Sequence, residues 1–167
     1  MEGLRPTPNR IRETLFNWLQ NDIPGARCLD VFSGSGALGF EGLSRGASQV
    51  TMLEQQQACY QQLQANKKLL NAEQAEIIAC DALSWLQNNT REFDLIFLDP
   101  PFHQDLVSQC LPIIQQQHLL AERGRMYIET ETGLALPENL IVDKQKRAGQ
   151  VQYGLYRFQE SLIGTKQ

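Results

Sequence analysis

Four carboxylates, Asp30, Glu54, Asp81 and Asp99, each close a short apolar run, and a glycine-rich stretch follows the first of them. That stretch, Ser33-Gly34-Ser35-Gly36-Ala37-Leu38-Gly39, allows a tight turn and lets a ligand lie against bare backbone. Gly39 also permits close packing of a helix on a strand. The last carboxylate opens Asp99-Pro100-Pro101-Phe102. Two successive prolines have restricted φ and no N–H, so this turn is stiff and its carbonyls have no local donors competing for them. Asp99 and the Pro100 carbonyl then form two fixed acceptors, and Phe102 adds a flat face for stacking. Such a seat suits a planar amine, whose lone pair must be freed from its ring and aimed at an electrophile.

The spacing Gly34-x-Gly36-x-x-Gly39 matches a dinucleotide fingerprint, so a nicotinamide cofactor is one candidate ligand. Asp30 argues for another. A carboxylate is awkward beside a pyrophosphate, which prefers helix N-terminal amides. It suits an ammonium group, such as that of the methionine part of S-adenosylmethionine. Glu54 can accept hydrogen bonds from ribose hydroxyls in either cofactor class. Asp81 can reach an adenine amino group while Ala82 supplies a backbone amide. The plainer reading makes Glu54 and Asp81 helix-start acids facing local dipoles, and makes Asp99 a capping residue in a rigid strand exit.

These residues need elements that bring them together. Ile11, Leu15, Trp18 and Leu19 recur at helical spacing and predict a helix over 8–20, with Thr7 as its cap and Pro8 in its first turn. Strands are expected at 28–32, 49–54, 75–79, 93–98 and 125–129. Helices are expected through about Arg45, over 56–70 (with Ala58, Leu63, Leu69 and Leu70 apolar), over 82–87 and over 105–117. Two extended stretches, 140–147 and 150–158, flank Ala148-Gly149 as a closing hairpin. Such alternation predicts an α/β fold: a mostly parallel seven-stranded sheet, helices on both faces, and a C-terminal antiparallel hairpin. Ligands of such sheets bind where the strands end. The chain reads as one domain, 1–167, with 1–24 as an N-terminal segment and helix.

Composition bounds the alternatives. The chain is 42% hydrophobic and 20% charged, with no apolar run approaching the roughly 20 residues of a membrane span. Its start lacks the layout of a signal peptide, so a cytoplasmic location is expected. Cys28, Cys59, Cys80 and Cys110 are scattered without a Cys-x-x-Cys pair, and the histidines are His103 and His118, so no metal site is expected. The net charge of −4 disfavours wholesale electrostatic binding of nucleic acid. Basic residues gather at two places, Arg5, Arg10 and Arg12 and Lys144, Lys146 and Arg147, where solvated surface is the plainer explanation.

The chain resembles the bacterial 16S ribosomal RNA guanine-N2 methyltransferases of the RsmD type. The likeness runs through Arg5-Pro6-Thr7, the helix 10–19 with Phe16-Asn17-Trp18-Leu19, the Asp30-to-Gly39 turn, Asp99-Pro100-Pro101-Phe102 and the closing Tyr153-Gly154-Leu155-Tyr156. It implies a Rossmann-like class I methyltransferase that moves a methyl group from S-adenosylmethionine to the N2 amine of a guanine in 16S ribosomal RNA, within a small-subunit particle. By the same resemblance Ser33, Gly34, Ser35 and Gly36 cradle the cofactor, Glu54 holds its ribose, and Asp81 and Ala82 contact adenine. Asp99, Pro100, Pro101 and Phe102 present the guanine, while Thr7 and Arg10 line the cofactor pocket. A monomer is expected. Proteins of this type carry a basic, strand-forming segment before Arg-Pro-Thr, whereas this sequence begins almost at that motif. Because the proline-proline turn serves any planar amine, DNA adenine or protein glutamine is the alternative acceptor. A dinucleotide-dependent oxidoreductase and a non-enzymatic binding module are the competing classes.

Overall fold

A computed structural model describes residues 9–160. The expected runs become parallel strands, most deeply buried in β1 (Arg27–Asp30), β2 (Gln49–Glu54) and β4 (Phe93–Leu98) and less so in the edge strand β3 (Ala75–Ala79) and in the charged first half of β5 (Leu120–Glu131). Between them lie α2 (Ala37–Ser44), α3 (Gln57–Leu69), α4 (Ala82–Gln87) and α5 (Leu106–Gln116), and α1 (Asn9–Trp18) precedes them. The chain closes with β6 (Leu140–Ala148) and β7 (Val151–Phe158). One sheet results, in the order β3-β2-β1-β4-β5-β7-β6, with β7 antiparallel to both of its neighbours.

Strand side chains alternate between two cores. On one face Cys28, Val50, Met52, Leu95, Phe97 and Tyr127 meet Ile11, Leu15 and Phe16 of α1, Leu38 of α2 and Leu63 of α3. On the other, Leu29, Leu53, Ile96 and Leu98 meet Leu86 of α4 and Val107, Leu111 and Ile114 of α5. Phe16 reaches the ring of Phe97, and Trp18 stacks on Tyr153 with centroids 5.6 Å apart. The four cysteines are free thiols, and burial pushes Cys28 and Cys110 up to about 12, as suits inert packing groups. No helix among the described residues is long and apolar enough to cross a membrane, and no cluster suited to a metal ion lies among them.

Three expectations need adjustment, and one lies beyond the described residues. The first strand stops at Asp30 rather than at Phe32, because beyond it the chain turns away and the ladder gives way to isolated bonds, such as Val31 N–H to the Phe97 carbonyl at 3.2 Å. The fifth strand starts at Leu120, which pairs with Phe93; a register shift before Leu95 absorbs the polar residues that hid this from the pattern. In α3 only Leu63 is buried, whereas Leu69 and Leu70 are 79% and 59% exposed beyond the end of the core face. The expected Thr7 cap and Pro8 lie outside the described residues.

The closing hairpin explains one residue of its motif. An added Cβ at Gly154 would lie 2.3 Å from the Lys144 carbonyl oxygen, next to the irregularity in β6 between Val142 and Lys144. Backbone on backbone cannot be relieved by a rotamer change. Gly154→Ala is expected to destabilise the fold by about 1–3 kcal/mol, read from the midpoint of urea unfolding. An unaltered midpoint would mean that β6 moves aside freely.

Candidate active site

The ends of β1 to β4 meet through hydrogen bonds. Ser33 N–H donates to the Leu53 carbonyl at 3.1 Å, joining the β1 exit to β2. The next amide, Gly34 N–H, donates to Glu54 Oε1 at 2.9 Å, while Gln56 N–H donates to Oε2 at 3.0 Å. Cys80 N–H bonds the Glu54 carbonyl at 3.1 Å, bringing in the β3 exit. Val31 N–H on the Phe97 carbonyl ties in β4. Asp30, Gly34, Glu54, Asp81 and Asp99 therefore share one end of the sheet.

The glycine turn is built for close approach. Gly34 and Gly36 have φ of 53° and 85°, conformations that most side chains resist. Open space surrounds the Cβ position of Gly34, so its backbone faces a vacant approach. At Gly36 a Cβ would lie 2.6 Å from Leu63 and 2.7 Å from Phe40, and at Gly39 2.8 Å from Met52. The turn is thus pressed against α2, α3 and β2, with Gly39 in the packing role expected of it. Helix α2 begins after Gly36 with no side-chain cap on its amides. Ser33 is buried and donates its hydroxyl to the Asp30 carbonyl at 3.1 Å; Ser35 is exposed.

Asp30 is the anomaly. It is 1% exposed, and neither carboxylate oxygen has a hydrogen-bond partner among the described residues. Burial pushes it up to about 7, and the Glu54 charge adds to that. The nearby Gly39 amide and Ser33 hydroxyl oppose the shift electrostatically. Neither reaches hydrogen-bonding geometry with the carboxylate, and the Ser33 hydroxyl is spent on the Asp30 carbonyl instead. A native interior rarely leaves such a group without a reason. At the opposite end of the sheet the charges are matched: Arg27 holds Asp94 through two bonds of 3.0 Å, which keeps that carboxyl below its ordinary range. A concavity of about 260 Å³, lined in part by Asn21, Pro24, Asp94 and Arg125, opens at that end. Its lining includes none of Asp30, Gly34, Glu54, Asp81 or Asp99.

The other expected residues divide. Asp81 caps α4, accepting from Ser84 N–H at 3.0 Å through Oδ2, so the plainer reading describes one of its two oxygens. Ala82, the first residue of α4, is buried. Asp99 is half-buried, Pro100 buried and Pro101 exposed, and Phe102 is half-buried against the core. Arg10 stands exposed on the first turn of α1, and no contact among the described residues joins it to the loops. Thr7 lies outside the described residues.

The sequence reading passed over the end of β5. Glu129 is fully buried and accepts from the Tyr127 hydroxyl at 2.5 Å. Burial, then the charges of Glu129 and Asp99, raise that hydroxyl well above its ordinary range, which places Asp99 near the pair. Glu131 receives His103, just past Phe102. In sequence, acids at the alternate positions 129 and 131 read as a solvent face, so no local signal marked them.

Comparison with known proteins places this geometry among relatives. The family model described as Conserved hypothetical protein 95 matches residues 1–157. The chain is 45% identical over 162 residues to "Ribosomal RNA small subunit methyltransferase D" of Haemophilus influenzae, covering 93% of this chain and 84% of the relative. It is 42% identical over 158 residues to the protein of the same name from Escherichia coli, covering 93% and 80%. A solved Escherichia coli structure, provisionally named as a methyltransferase, superposes with a TM-score of 0.88 at 41% identity, covering 96% of this chain and 90% of that one.

Proposed function

The chain belongs to the RsmD family, described as Conserved hypothetical protein 95, and on that premise we propose that it methylates the exocyclic N2 amine of a guanine in small-subunit ribosomal RNA, using S-adenosylmethionine. Its fold is the Rossmann-like class I methyltransferase fold. The observation that carries the reading is Asp30, a buried carboxylate without hydrogen bonds, beneath a glycine turn with open space at Gly34. Those residues fit a cofactor that has an ammonium group and lies against backbone.

S-adenosylmethionine supplies a methyl group on a sulfonium centre, with an ammonium and a ribose for recognition. Asp30 provides the negative charge for the ammonium, and the turn 33–36 provides bare backbone beside it. Glu54 already accepts two backbone N–H groups, and a carboxylate has about four acceptor positions, so two remain for ribose hydroxyls. Asp81 keeps Oδ1 for the adenine amine while Oδ2 caps α4, and the Ala82 amide serves a ring nitrogen.

On the acceptor side, Asp99 and the Pro100 carbonyl accept the two N–H bonds of the amine, and Phe102 supports the flat base. Holding both hydrogens pyramidalises the nitrogen and directs its lone pair at the methyl carbon. Bound S-adenosylmethionine would supply the methyl carbon to that nitrogen and keep the carbon–sulfur electron pair on its sulfur, while Asp99 or water would take the one proton the nitrogen sheds. Positioning is the larger contribution and charge stabilisation the smaller.

The test is transfer of labelled methyl groups to small ribosomal subunits lacking the mark, with mass mapping of the modified base. One methyl on the N2 of a guanine is the expected result. Label only in DNA adenine or protein glutamine would move the assignment to the alternative acceptors. Calorimetric binding of NAD without binding of S-adenosylhomocysteine would overturn it altogether.

A further inference from the structure

Seven residues, 99–105, link β4 to α5, and two of them that are not glycine take left-handed backbone: His103 with φ of 67° and Asp105 with φ of 55°. Such conformations cost free energy and persist where the surroundings hold them. Asp105 is held from α5, where the Ser108 hydroxyl donates to its carbonyl at 3.2 Å and also meets its side chain. Gln109 Nε2 donates to the carbonyls of Gln104 and Asp105, at 3.3 and 3.1 Å.

His103 is held from the sheet instead. Its backbone N–H donates to Glu131 Oε2 at 3.1 Å, and its Nδ1 lies 3.0 Å from the same oxygen. Glu131 is the last residue of β5 and pairs with Val151 of β7, so this anchor is part of the ladder. Its side chain is 26% exposed, whereas that of His103 is 83% exposed. Solvent screens the imidazole contact, which leaves the backbone bond as the stronger link. That bond fixes the residue after Phe102, whose ring meets the His103 ring edge-on at 6.1 Å. The acceptor turn is thus pinned at Asp99 by the β4 exit and at His103 by Glu131.

We propose that Glu131 is a positioning residue for acceptor binding: its carboxylate grips the His103 amide and so sets the separation between the Phe102 face and the Asp99 acceptor. This rests on the reading of Asp99–Phe102 as the seat of the amine. Glu131 itself touches neither reactant. A displacement of the turn by a fraction of an ångström degrades the approach of the nitrogen without disturbing the cofactor half of the site.

The experiment compares Glu131→Ala with Glu131→Gln, whose carbonyl oxygen still accepts the amide. Three readouts are taken: hydrogen exchange at the His103 amide, affinity for S-adenosylhomocysteine, and kcat for methylation of unmethylated small subunits. Glu131→Ala is expected to speed the exchange and lower kcat, each by about tenfold or more, with unchanged cofactor affinity. Glu131→Gln is expected to restore both to within about threefold of the parent. Wild-type exchange and kcat in Glu131→Ala would overturn the proposal. So would equal losses in the two variants, or a loss of cofactor affinity matching the loss of kcat. If the unaltered protein methylates no small subunits, the proposed activity fails, while the exchange readout still decides whether Glu131 grips the turn.

Discussion

Asp99→Ala is expected to lower the rate of methyl transfer by about 10²–10³-fold while leaving the affinity for S-adenosylhomocysteine within about twofold of the parent. The asymmetry follows from location. Cofactor recognition is assigned to the exits of β1, β2 and β3, whereas Asp99 lies at the exit of β4, on the side of Tyr127 and Glu129. Removing its carboxylate takes away one of two acceptors that orient the amine, and one destination for the released proton. Asp99→Asn separates the two roles, since the new carbonyl oxygen still accepts an N–H but the amide takes no proton. If positioning dominates, Asp99→Asn keeps most of the rate; if proton transfer dominates, it falls as far as Asp99→Ala. Single-turnover kinetics with saturating cofactor provide the measurement, and an unchanged rate in Asp99→Ala would remove this residue from the mechanism.

How much of this was visible in the one-dimensional text depended on how local each feature is. Strands 49–54, 75–79 and 93–98 were readable to the residue because dense apolar runs between polar turns have few other uses. The acids closing those runs were readable for the same reason, since a carboxylate just past an apolar strand stands at the rim of the sheet. Asp81 shows the limit of such reasoning: cap and ligand contact call for the same residue type at the same place, and its two oxygens allow both. Glu129 and Glu131 were not readable. Alternating with Ile128 and Thr130, they resemble the solvent face of a half-exposed strand. What turns Glu129 inward is β7, which comes back antiparallel between β5 and β6 and sets Tyr153 against it. That pairing joins residues far apart in the chain, and no local periodicity encodes it. The grip of Glu131 on His103 is legible only once the loop is folded.

Asp30 links the stability of the fold to the binding of a cation, and the sign can be worked through. Its folded pKa is raised to about 7, against 3.8 as the ordinary value. Between those limits the folded chain keeps a proton that the unfolded chain has released, so stability falls as pH rises through that window. Above pH 7 the full penalty remains, at most about 4 kcal/mol from roughly three pKa units at about 1.36 each. Asp30→Asn removes the charge but introduces a buried amide whose own donors need partners, so the net gain is expected to be about 1–2 kcal/mol at pH 8. That corresponds to a Tm higher by roughly 2–8 °C at pH 8 for a chain of this size, with the advantage lost between about pH 5 and 6 and reversed near pH 4, where Asp30 of the folded chain is neutral and only the cost of the buried amide remains. Binding responds in the opposite direction. A cationic ligand needs the charged carboxylate, so in the parent protein affinity for S-adenosylhomocysteine should weaken as pH falls from 8 to 6, with proton release on binding near pH 6. In Asp30→Asn the affinity should be about 10–100-fold lower at pH 8 and lose most of this pH dependence. Calorimetry in two buffers of different ionisation enthalpy counts the released proton directly. A parent protein that binds equally well at pH 6 and pH 8 without releasing protons would show that the buried carboxylate does not face the ligand, and the assignment of the glycine turn would fall with it.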